Sequence, residues 1–368
     1  MSERQVPFFN YPSVFTRFEA EFVDALQRVG RSGAFIMQKH LHEFEASLAD
    51  YAGVKYALGV GNATDALELI LMADGIQPGD EVIMSAHTMI ATASAVRVLG
   101  GVPVPVDIAD DRTIDVEAIE AAITEKTRYI MPTHLNGRIA DMHPLKEIAD
   151  RHGLKIVEDA AQSLGARYHG QHGGSFDLGG CISFYPAKVL GCLGDGGAIL
   201  TNDERIYKAA HALRDHGRSD FGVYESWGRN SRLDNLQAEF LNVQMPHYPD
   251  VVTRRRAIAT RYFEGLSTIP QLGMPVPPDD SARFDIFQNF EITATDRDGL
   301  KAHMASHGVG SLNQWGGLGL NHMHQLGLSG QLPKSDAFFE SCIMIPLNYS
   351  MCDDDVDYVI DVITQFYA

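Results

Sequence analysis

The sequence has few cysteines, and their number and spacing exclude a disulfide framework. Four occur in 368 residues, and no two of them form a C-x-x-C pair. Disulfide-stabilised secreted domains carry many more cysteines for their length. We therefore expect reduced thiols at Cys181, Cys192, Cys342 and Cys352.

Positive charge is also scarce. The 30 lysines and arginines are outnumbered by 48 aspartates and glutamates, which gives a formal net charge of −18. Such a surface repels the phosphate backbone of nucleic acids, so we expect no nucleic-acid partner. The one basic run, from Arg254 to Arg256, lies in a helical pattern and is interpreted as a solvated face.

Long apolar runs are missing as well. The longest apolar stretch without charge, Val82 to Val96, contains serine, histidine and threonine and is too short to span a bilayer. The opening residues "MSERQVPFFN" have no apolar segment of signal-peptide length. We expect a cytoplasmic protein with no membrane partner and, with 45% hydrophobic residues, a well-packed core.

What the sequence does contain is an alternation of short β-rich runs with amphipathic helical patterns between residues 54 and 215. This alternation predicts a mainly parallel sheet covered by helices on both faces, with ligands at the carboxyl ends of its strands. The predicted strands are "KYALGV", "EVIMSA", "GVPVPV", "RYIMPT", "LKIVED", "CISFY" and "GAILT". The predicted helices between them include "DALELILMAD", "DVEAIEAAI" and "HPLKEIADRHG".

The pattern changes near residue 230. A long helical pattern from Arg232 to Leu266 is interrupted near Pro246, because proline cannot continue a helix. A strand ("NFEITA") and two helices ("RDGLKAHMASHG" and "DDDVDYVIDVITQFY") follow. We predict a large α/β domain at 1–245, including the N-terminal segment, and a smaller C-terminal α+β domain at 246–368.

The first candidate site is "GVGNATDALEL", which follows a predicted strand and opens a helix. Gly59 and Gly61 permit a tight turn, and Asn62 can cap the helix. Free backbone N–H groups at Ala63 and Thr64 would then bind an anion. An ordinary capped helix has the same pattern.

The second candidate is Asp159 in "IVEDAAQS", with Gln162 three residues later. A carboxylate at the end of an apolar strand needs a cationic or hydrogen-bonding partner, and a protonated heterocyclic nitrogen would serve. A helix N-cap is the alternative interpretation.

The third candidate is "SFYPAKVLGCLGDGG", which places Ser183 in a strand and Lys188 in the following glycine-rich loop. A desolvated lysine has a lowered pKa and is a nucleophile towards aldehydes. A surface lysine before a glycine turn is the alternative. A fourth stretch, "GRNSRLDNLQ", offers Asn230 and Arg232 either to an anion or to solvent.

An anion site, a carboxylate for a pyridinium nitrogen and a lysine for an aldehyde are together what pyridoxal phosphate requires of a protein. Their order along the chain resembles the DegT-type sugar aminotransferases, a branch of the fold type I pyridoxal-phosphate enzymes. The Asp-Ala-Ala-Gln block and the Ser-Phe-Tyr-Pro-x-Lys…Gly-Asp-Gly-Gly block carry this resemblance, which extends over nearly the whole chain.

The resemblance implies roles for particular residues. It implies that Lys188 holds the cofactor, that Asp159 pairs with its ring nitrogen and that Gln162 lies near its ring hydroxyl. Further implied contacts are the phosphate ligands Ala63, Thr64 and Ser183 and the cofactor contact Asn62. The resemblance also implies that Asn230 reaches the partner's phosphate in a homodimer with shared active sites. His134, in "PTHLNG", matches an active-site loop of the family and is a catalytic and substrate-binding candidate.

The sequence departs from the family in two places. Met89 stands where relatives have an aromatic residue or histidine that stacks on the ring, so Met89 is the expected contact and His87 the alternative. The segment "NQWGGLGLNHMHQLG" does not match relatives that act on nucleotide-linked sugars. Trp315 in that segment is a candidate substrate contact.

We therefore predict an aminotransferase that moves an amino group from L-glutamate to a keto- or aldehydo-sugar for cell-surface polysaccharide synthesis. The acceptor is either a nucleotide-linked keto-deoxysugar or an oxidised 3-deoxy-octulosonate destined for lipopolysaccharide. Arg229, Arg232 and His134 are candidates for binding the donor's carboxylate or the acceptor's anionic group. A dehydratase or a non-catalytic sensor of the same fold is the alternative, and Lys188 argues against both.

Two other classes are disfavoured. "GVGNAT" lacks the third glycine of a dinucleotide-binding fingerprint. The histidines of "KHLHEF" and "NHMHQ" are two residues apart, so they would not share a helix face, and no metal site is predicted.

Overall fold

The structure, a computed structural model, describes residues 4–219 and 221–368. Its helices are α1 (Tyr11–Arg17), α2 (Glu19–Ser32), α3 (Lys39–Ala52), α4 (Ala63–Asp74), α5 (Ile90–Arg97), α6 (Val116–Ala122), α7 (Met142–His152), α8 (Glu204–Leu213), α9 (Asn235–Gln244), α10 (Tyr248–Leu266), α11 (Arg297–Ser306), α12 (Pro333–Ser341) and α13 (Asp353–Tyr367). Its strands are β1 (Tyr56–Val60), β2 (Glu81–Ser85), β3 (Val102–Val106), β4 (Thr127–Met131), β5 (Lys155–Ile156), β6 (Glu158–Asp159), β7 (Arg167–Tyr168), β8 (Gln171–His172), β9 (Gly180–Ser183), β10 (Gly197–Thr201), β11 (Leu272–Gly273), β12 (Arg283–Phe284), β13 (Phe290–Ala294) and β14 (Cys342–Ile345).

The large sheet has the strand order β3-β2-β4-β5 on one side and β6-β9-β10-β1 on the other. Backbone bonds from Val157 to Ile130 and from Asp159 to Pro132 join the two halves through the continuous segment 155–159. Only β10 runs antiparallel to its neighbours in this sheet of the described chain. The prediction of a mainly parallel sheet is confirmed, and all seven predicted strands are present.

Helices cover both faces of this sheet, as the alternating pattern predicts. On one face α4 packs with apolar side chains such as Leu69 and Ile70 against Val82 and Met84. The core on the other face includes residues of α3, α7 and α9. The sheet is therefore buried on both faces, and the loops at the carboxyl ends of its strands are left to form a site.

Local sequence explains where several helices begin and end. The side chain of Asn62 accepts a hydrogen bond from the Asp65 amide and caps α4. Gly153 ends α7 in the left-handed conformation that glycine adopts without strain, as the "HG" pattern predicts. The long pattern after residue 232 forms α9 and α10, separated by a 3₁₀ turn at Met245–His247 that contains Pro246.

The C-terminal part forms a three-stranded antiparallel sheet in the order β11-β13-β14, covered by α10, α11 and α13. The strand and both helices predicted there are present. Val6 joins this core by pairing with Val309, so the N-terminal segment packs on the C-terminal unit. The division of the chain at 245/246 stays a prediction.

Among the described residues, no helix is long and apolar enough to cross a membrane.

Candidate active site

Lys188 and Asp159 face each other at the carboxyl-end edge of the large sheet. Asp159 ends β6, and Lys188 lies in the loop between β9 and β10. Burial lowers the pKa of the Lys188 ammonium, and the nearby charge of Asp159 and the thiol of Cys181 partly oppose that shift. A lysine with a lowered pKa offers more of its neutral, nucleophilic amine at neutral pH.

The Asp159 carboxylate is buried and held by three donors. Oδ2 accepts a hydrogen bond of 2.6 Å from the Thr92 hydroxyl. Oδ1 accepts from the Ala161 amide at 3.2 Å and from the Cys181 thiol at 3.4 Å. No ion pair to Asp159 occurs within residues 4–219 and 221–368, and turns rather than a helix follow it. The helix N-cap alternative is therefore wrong, and the carboxylate faces the site held by hydrogen bonds rather than by a close ion pair.

The threonines behind Asp159 form a directed chain of hydroxyl groups. Thr133 donates to Thr88 at 2.7 Å, and the hydroxyls of Thr88 and Thr92 lie 2.7 Å apart. Since Thr92 donates to Asp159, it accepts from Thr88. Sequence reasoning did not find this chain, because its members come from α5 and from the segments after β2 and β4.

The proposed anion site lies at the start of α4. The Asn62 side chain caps Asp65 at 2.9 Å, and the described chain places no hydrogen-bond acceptor on the amides of Ala63 and Thr64. Gly197 packs so closely here that a Cβ atom would lie 2.4 Å from the Asn62 carbonyl carbon. Gly197 pairs with Ser183 across β9 and β10, which brings that serine to the same end of the sheet.

Gln162 follows Asp159 and accepts a 2.8 Å hydrogen bond from the Asn136 amide through Oε1. This bond fixes one end of its side-chain amide and leaves the Nε2 group without a partner among the described residues. Gln162 therefore has a donor available for a ligand oxygen, as the resemblance implies.

Met89 and His87 differ in accessibility. Met89 is 46% exposed at the N-terminus of α5. His87 is buried between Trp315, Phe338 and Phe339, with ring centroids 4.7–5.3 Å away, and burial lowers its pKa to about 3. An enclosed neutral histidine of this kind is part of an aromatic cluster, so Met89 remains the candidate for contact with a ring.

The structure contradicts a direct substrate contact by His134. Its side chain is fully buried, Nε2 lies 2.6 Å from Oε2 of Glu158, and Nδ1 accepts from the Ala140 amide at 3.3 Å. Both ring nitrogens are therefore used inside the protein. His134 supports the loop between β4 and α7, and its position in a polar motif gave no sign of that burial.

Arg229 and Arg232 already have carboxylate partners in their own chain. Arg229 pairs with Glu68, and Arg232 donates to Asp215 at 2.6 Å. Asn230, between them, is exposed, and among the described residues its backbone forms a bridge with Asp215.

Trp315 lies in a 3₁₀ turn at Gln314–Gly316 and packs on His87 and on a small cluster with Phe338 and Phe339. Within the described part of the chain, its ring contacts are with this cluster rather than with Lys188 or Asp159. Its role as a substrate contact stays a prediction.

The N-terminal segment also reaches the site, which the sequence did not indicate. A cavity that Lys188 helps to line also has Asn10, Tyr11, Asn289 and Tyr349 in its wall, together with other polar and apolar neighbours. These polar side chains come from both ends of the chain, so no local pattern could associate them.

The residues present fit pyridoxal phosphate. Free amides at the start of α4 suit a dianionic phosphate, and the close contact at Gly197 keeps a side chain out of that space. The buried Asp159 carboxylate has no ion-pair partner within hydrogen-bonding reach among the described residues and could pair with a protonated ring nitrogen. Lys188 would supply an amine for the aldehyde.

Comparison with known proteins agrees with this interpretation. A family model described as the DegT/DnrJ/EryC1/StrS aminotransferase family matches residues 16–364. The chain is 37% identical over 366 residues to a dTDP-3-amino-3,4,6-trideoxy-alpha-D-glucose transaminase of Streptomyces venezuelae, covering 98% of this chain and 96% of that one. It is 37% identical over 306 residues to a UDP-2-acetamido-2-deoxy-3-oxo-D-glucuronate aminotransferase of Pseudomonas aeruginosa, covering 83% and 84%.

The structural likeness is equally extensive. The crystal structure of Streptomyces venezuelae DesV in complex with a ketimine intermediate superposes with a TM-score of 0.94 at 37% identity, covering 99% of this chain and 98% of that one. Solved relatives include forms with pyridoxal phosphate and with pyridoxamine phosphate. The chain therefore belongs to the DegT/DnrJ/EryC1/StrS aminotransferase family and is a pyridoxal-phosphate-dependent aminotransferase of fold type I.

Proposed function

We propose that this aminotransferase moves the amino group of L-glutamate to a keto-sugar carried by a nucleoside diphosphate. The observation that carries the chemistry is the opposition of Lys188 and Asp159 beside the free N-terminus of α4. The relatives named above are transaminases of dTDP- and UDP-linked sugars, which favours a nucleotide-linked acceptor over a free one.

Pyridoxal phosphate, when bound, supplies a conjugated ring that accepts electrons from the carbon next to a substrate nitrogen. Lys188 is proposed to hold the cofactor and, once released, to carry a proton as general base and acid. Asp159 is proposed to keep the ring nitrogen protonated. Its three hydrogen-bond donors stabilise the negative charge that this task requires.

The amides of Ala63 and Thr64, with the hydroxyls of Thr64 and Ser183, are proposed to bind the cofactor phosphate. Gln162 is proposed to bind the ring hydroxyl and Met89 to contact the ring face. Because the charged form of Lys188 is disfavoured by burial, exclusion of water from this pocket makes the amine more reactive.

We propose further that the active protein is a homodimer in which the loop around Asn230 completes the partner's site. Phe221 and Trp227 are 93% and 96% exposed, and Tyr224 is 68% exposed in the same loop. Large aromatic side chains this exposed on one loop are typical of a surface that another chain covers. In the dimer, Asn230 is proposed to bind the phosphate of the cofactor in the partner's site. Arg229 and Arg232 are candidates for binding the donor's carboxylate or the acceptor's anionic group.

The free octulosonate acceptor has no support among the relatives named here, and a cytoplasmic location stays a prediction. The acceptor is tested in two steps. Holoprotein is first incubated with L-glutamate, and 2-oxoglutarate is measured. The aminated protein is then offered either dTDP- and UDP-linked 3- or 4-keto-sugars or an oxidised 3-deoxy-octulosonate, and the product is identified by mass spectrometry.

An amino group on a nucleotide-linked sugar supports the proposal. Transfer to the octulosonate alone would contradict it. Lys188→Ala protein, which lacks the proposed cofactor-bearing amine, serves as the background control for both steps.

A further inference from the structure

One side chain from the C-terminal part of the molecule binds the backbone of both residues next to Lys188. Oε1 of Gln288 accepts a hydrogen bond of 3.0 Å from the amide of Val189, and its Nε2 donates one of 2.9 Å to the carbonyl of Ala187. The backbone groups on both sides of Lys188 are therefore bound by one amide. A carbonyl can only accept and an amide N–H can only donate, so this pair of partners also fixes the orientation of the Gln288 side chain.

The backbone of Gln288 is itself held in place from two directions. Its backbone amide donates to the Asn136 carbonyl at 2.8 Å, and its carbonyl accepts from Arg255 at 2.6 Å. Arg255 also binds the carbonyl of Phe287 at 2.8 Å, and both Arg255 and Gln288 are 6% exposed. A side chain with so little freedom can fix the position of the segment that it binds.

The same short segment reaches the other side of the proposed cofactor site. Asn136, whose amide binds Gln162, accepts from the Asn289 side chain at 2.8 Å and donates to Glu291 at 2.8 Å. Residues 288–291 thus bind both the loop that carries Lys188 and the loop that orients Gln162. Neither connection could be predicted from sequence, because between 99 and 155 residues separate the partners.

We propose that Gln288 is a positioning residue that holds the half-buried side chain of Lys188 in its reactive orientation. The proposal rests on the proposed role of Lys188. When both hydrogen bonds are lost, the 187–189 backbone is free to turn, and the ammonium gains access to water. Since burial is what lowers the pKa of Lys188, the change raises that pKa towards its ordinary value and slows attack on an aldehyde.

The chain supplies a matched control. The side-chain amide of Gln237 also binds the backbone of this loop, five residues after Lys188. It accepts a hydrogen bond from the Leu193 amide at 2.9 Å and donates one to the Leu193 carbonyl at 3.3 Å. Gln288→Met and Gln237→Met each remove one pair of hydrogen bonds to the backbone of this loop and keep the length of the side chain. Only the first change affects the residues on either side of Lys188.

Two measurements on cofactor-free protein test the proposal. Pyridoxal phosphate is added, samples are reduced with borohydride over time, and the fraction of Lys188 that carries the cofactor is measured by peptide mass spectrometry. Separately, brief labelling with acetic anhydride across a pH series gives the pKa of Lys188 without cofactor.

The expected result is that Gln288→Met slows cofactor attachment by on the order of tenfold or more and shifts the labelling profile of Lys188 to higher pH. Gln237→Met is expected to match wild type in both measurements. Wild-type rates and an unchanged labelling profile in Gln288→Met would overturn the proposal. Attachment at another residue in the wild type would instead contradict the proposed function.

Gln288→Glu covers the case in which the methionine variant does not fold. The glutamate keeps an acceptor for the Val189 amide and loses the donor to Ala187, so attachment is expected to fall between wild type and the methionine variant. Attachment as fast as in the wild type would likewise count against the proposal.

Discussion

The hydroxyl group of Thr92 lies 2.6 Å from Oδ2 of Asp159 and donates a hydrogen bond to it inside the protein. Behind it, Thr88 and Thr133 continue a chain of hydroxyl groups with separations of 2.7 Å. These hydroxyl groups stabilise the carboxylate of Asp159, which faces Lys188 across the proposed cofactor site.

Replacing Thr92 by valine tests the contribution of these hydroxyl groups, because threonine and valine side chains have nearly the same shape. A hydrogen bond to a charged group contributes about 1.5–3 kcal/mol, so Thr92→Val is expected to weaken pyridoxal phosphate binding by roughly tenfold or more. Equilibrium titration of apoprotein with the cofactor measures the change. Thr92→Ser keeps the hydroxyl and is expected to restore most of the affinity. Equal affinities for all three proteins would show that the bond does not contribute.

Asp159→Asn removes the negative charge while keeping the shape of the side chain. We expect weaker cofactor binding and a slower half-reaction with L-glutamate, because an amide cannot hold a proton on the ring nitrogen. Stopped-flow absorbance measures the half-reaction. Asp354→Asn, an exposed change in the first turn of α13, is the control. A half-reaction at the wild-type rate in Asp159→Asn would show that the ring nitrogen needs no acid.

Lys188 predicts a pH-dependent effect on the stability of the apoprotein. Its pKa is lower in the folded protein than the ordinary value of 10.5, so the folded state disfavours the proton that the unfolded chain keeps. Lys188→Met is therefore expected to be more stable than wild type at neutral pH. This advantage should shrink as the pH rises towards 10.5 and the unfolded chain loses its proton. Urea unfolding across the pH range measures it, and an advantage that grows with pH would contradict the assignment.

Glu291 predicts a second pH-dependent effect on stability, opposite in sign to that of Lys188, because it destabilises the folded protein as the pH rises. Burial raises its pKa to about 7, against the opposing effects of the Arg112 charge and of the hydrogen bond from Asn136. His87 Nε2, 3.6 Å from Oε2, belongs to a neutral ring, and the Cys342 thiol lies close by. The folded state thus prefers the protonated acid, and this preference costs stability as the pH rises from about 4.5 to 7.

Glu291→Gln removes that titration and keeps an acceptor for Asn136. Its stability is expected to equal that of wild type near pH 4 and to exceed it by up to about 3 kcal/mol at pH 8. The same unfolding series measures the difference. A constant difference at every pH would show that Glu291 does not titrate in this range.

Shared active sites are tested with two inactive proteins. Lys188→Ala and Asn230→Ala protomers are mixed under conditions that exchange subunits. If Asn230 serves the partner's site, half of the dimers contain one intact site, and activity is expected to recover to about a quarter of wild type. No recovery, with exchange confirmed by native mass spectrometry, would show that each site is built within one chain.

The sequence was sufficient for features that depend on neighbouring residues. Alternation of strands and helices predicted the sheet, because apolar runs and their helices follow one another along the chain. Asp159 and Lys188 were found because Asp159 ends a strand and Lys188 lies in the loop after one, and the carboxyl ends of parallel strands meet at one edge. Short elements such as β7, β8, β11 and β12 were missed, since two-residue strands leave no periodic pattern.

Contacts between distant segments could not be predicted in this way. Thr92, Gln288 and Glu291 look like ordinary polar residues in the sequence, and only the fold brings them to the site. His134 shows the reverse error. Its polar motif suggested a substrate contact, whereas Glu158 and the Ala140 amide occupy both of its nitrogens.

The most direct test is to find where the cofactor is attached. Holoprotein is reduced with borohydride, digested and analysed by peptide mass spectrometry. The account predicts a single reduced pyridoxyl phosphate group on Nζ of Lys188 and none on the other lysines. A modification at a different lysine, or no modification in protein that transaminates L-glutamate, would contradict it.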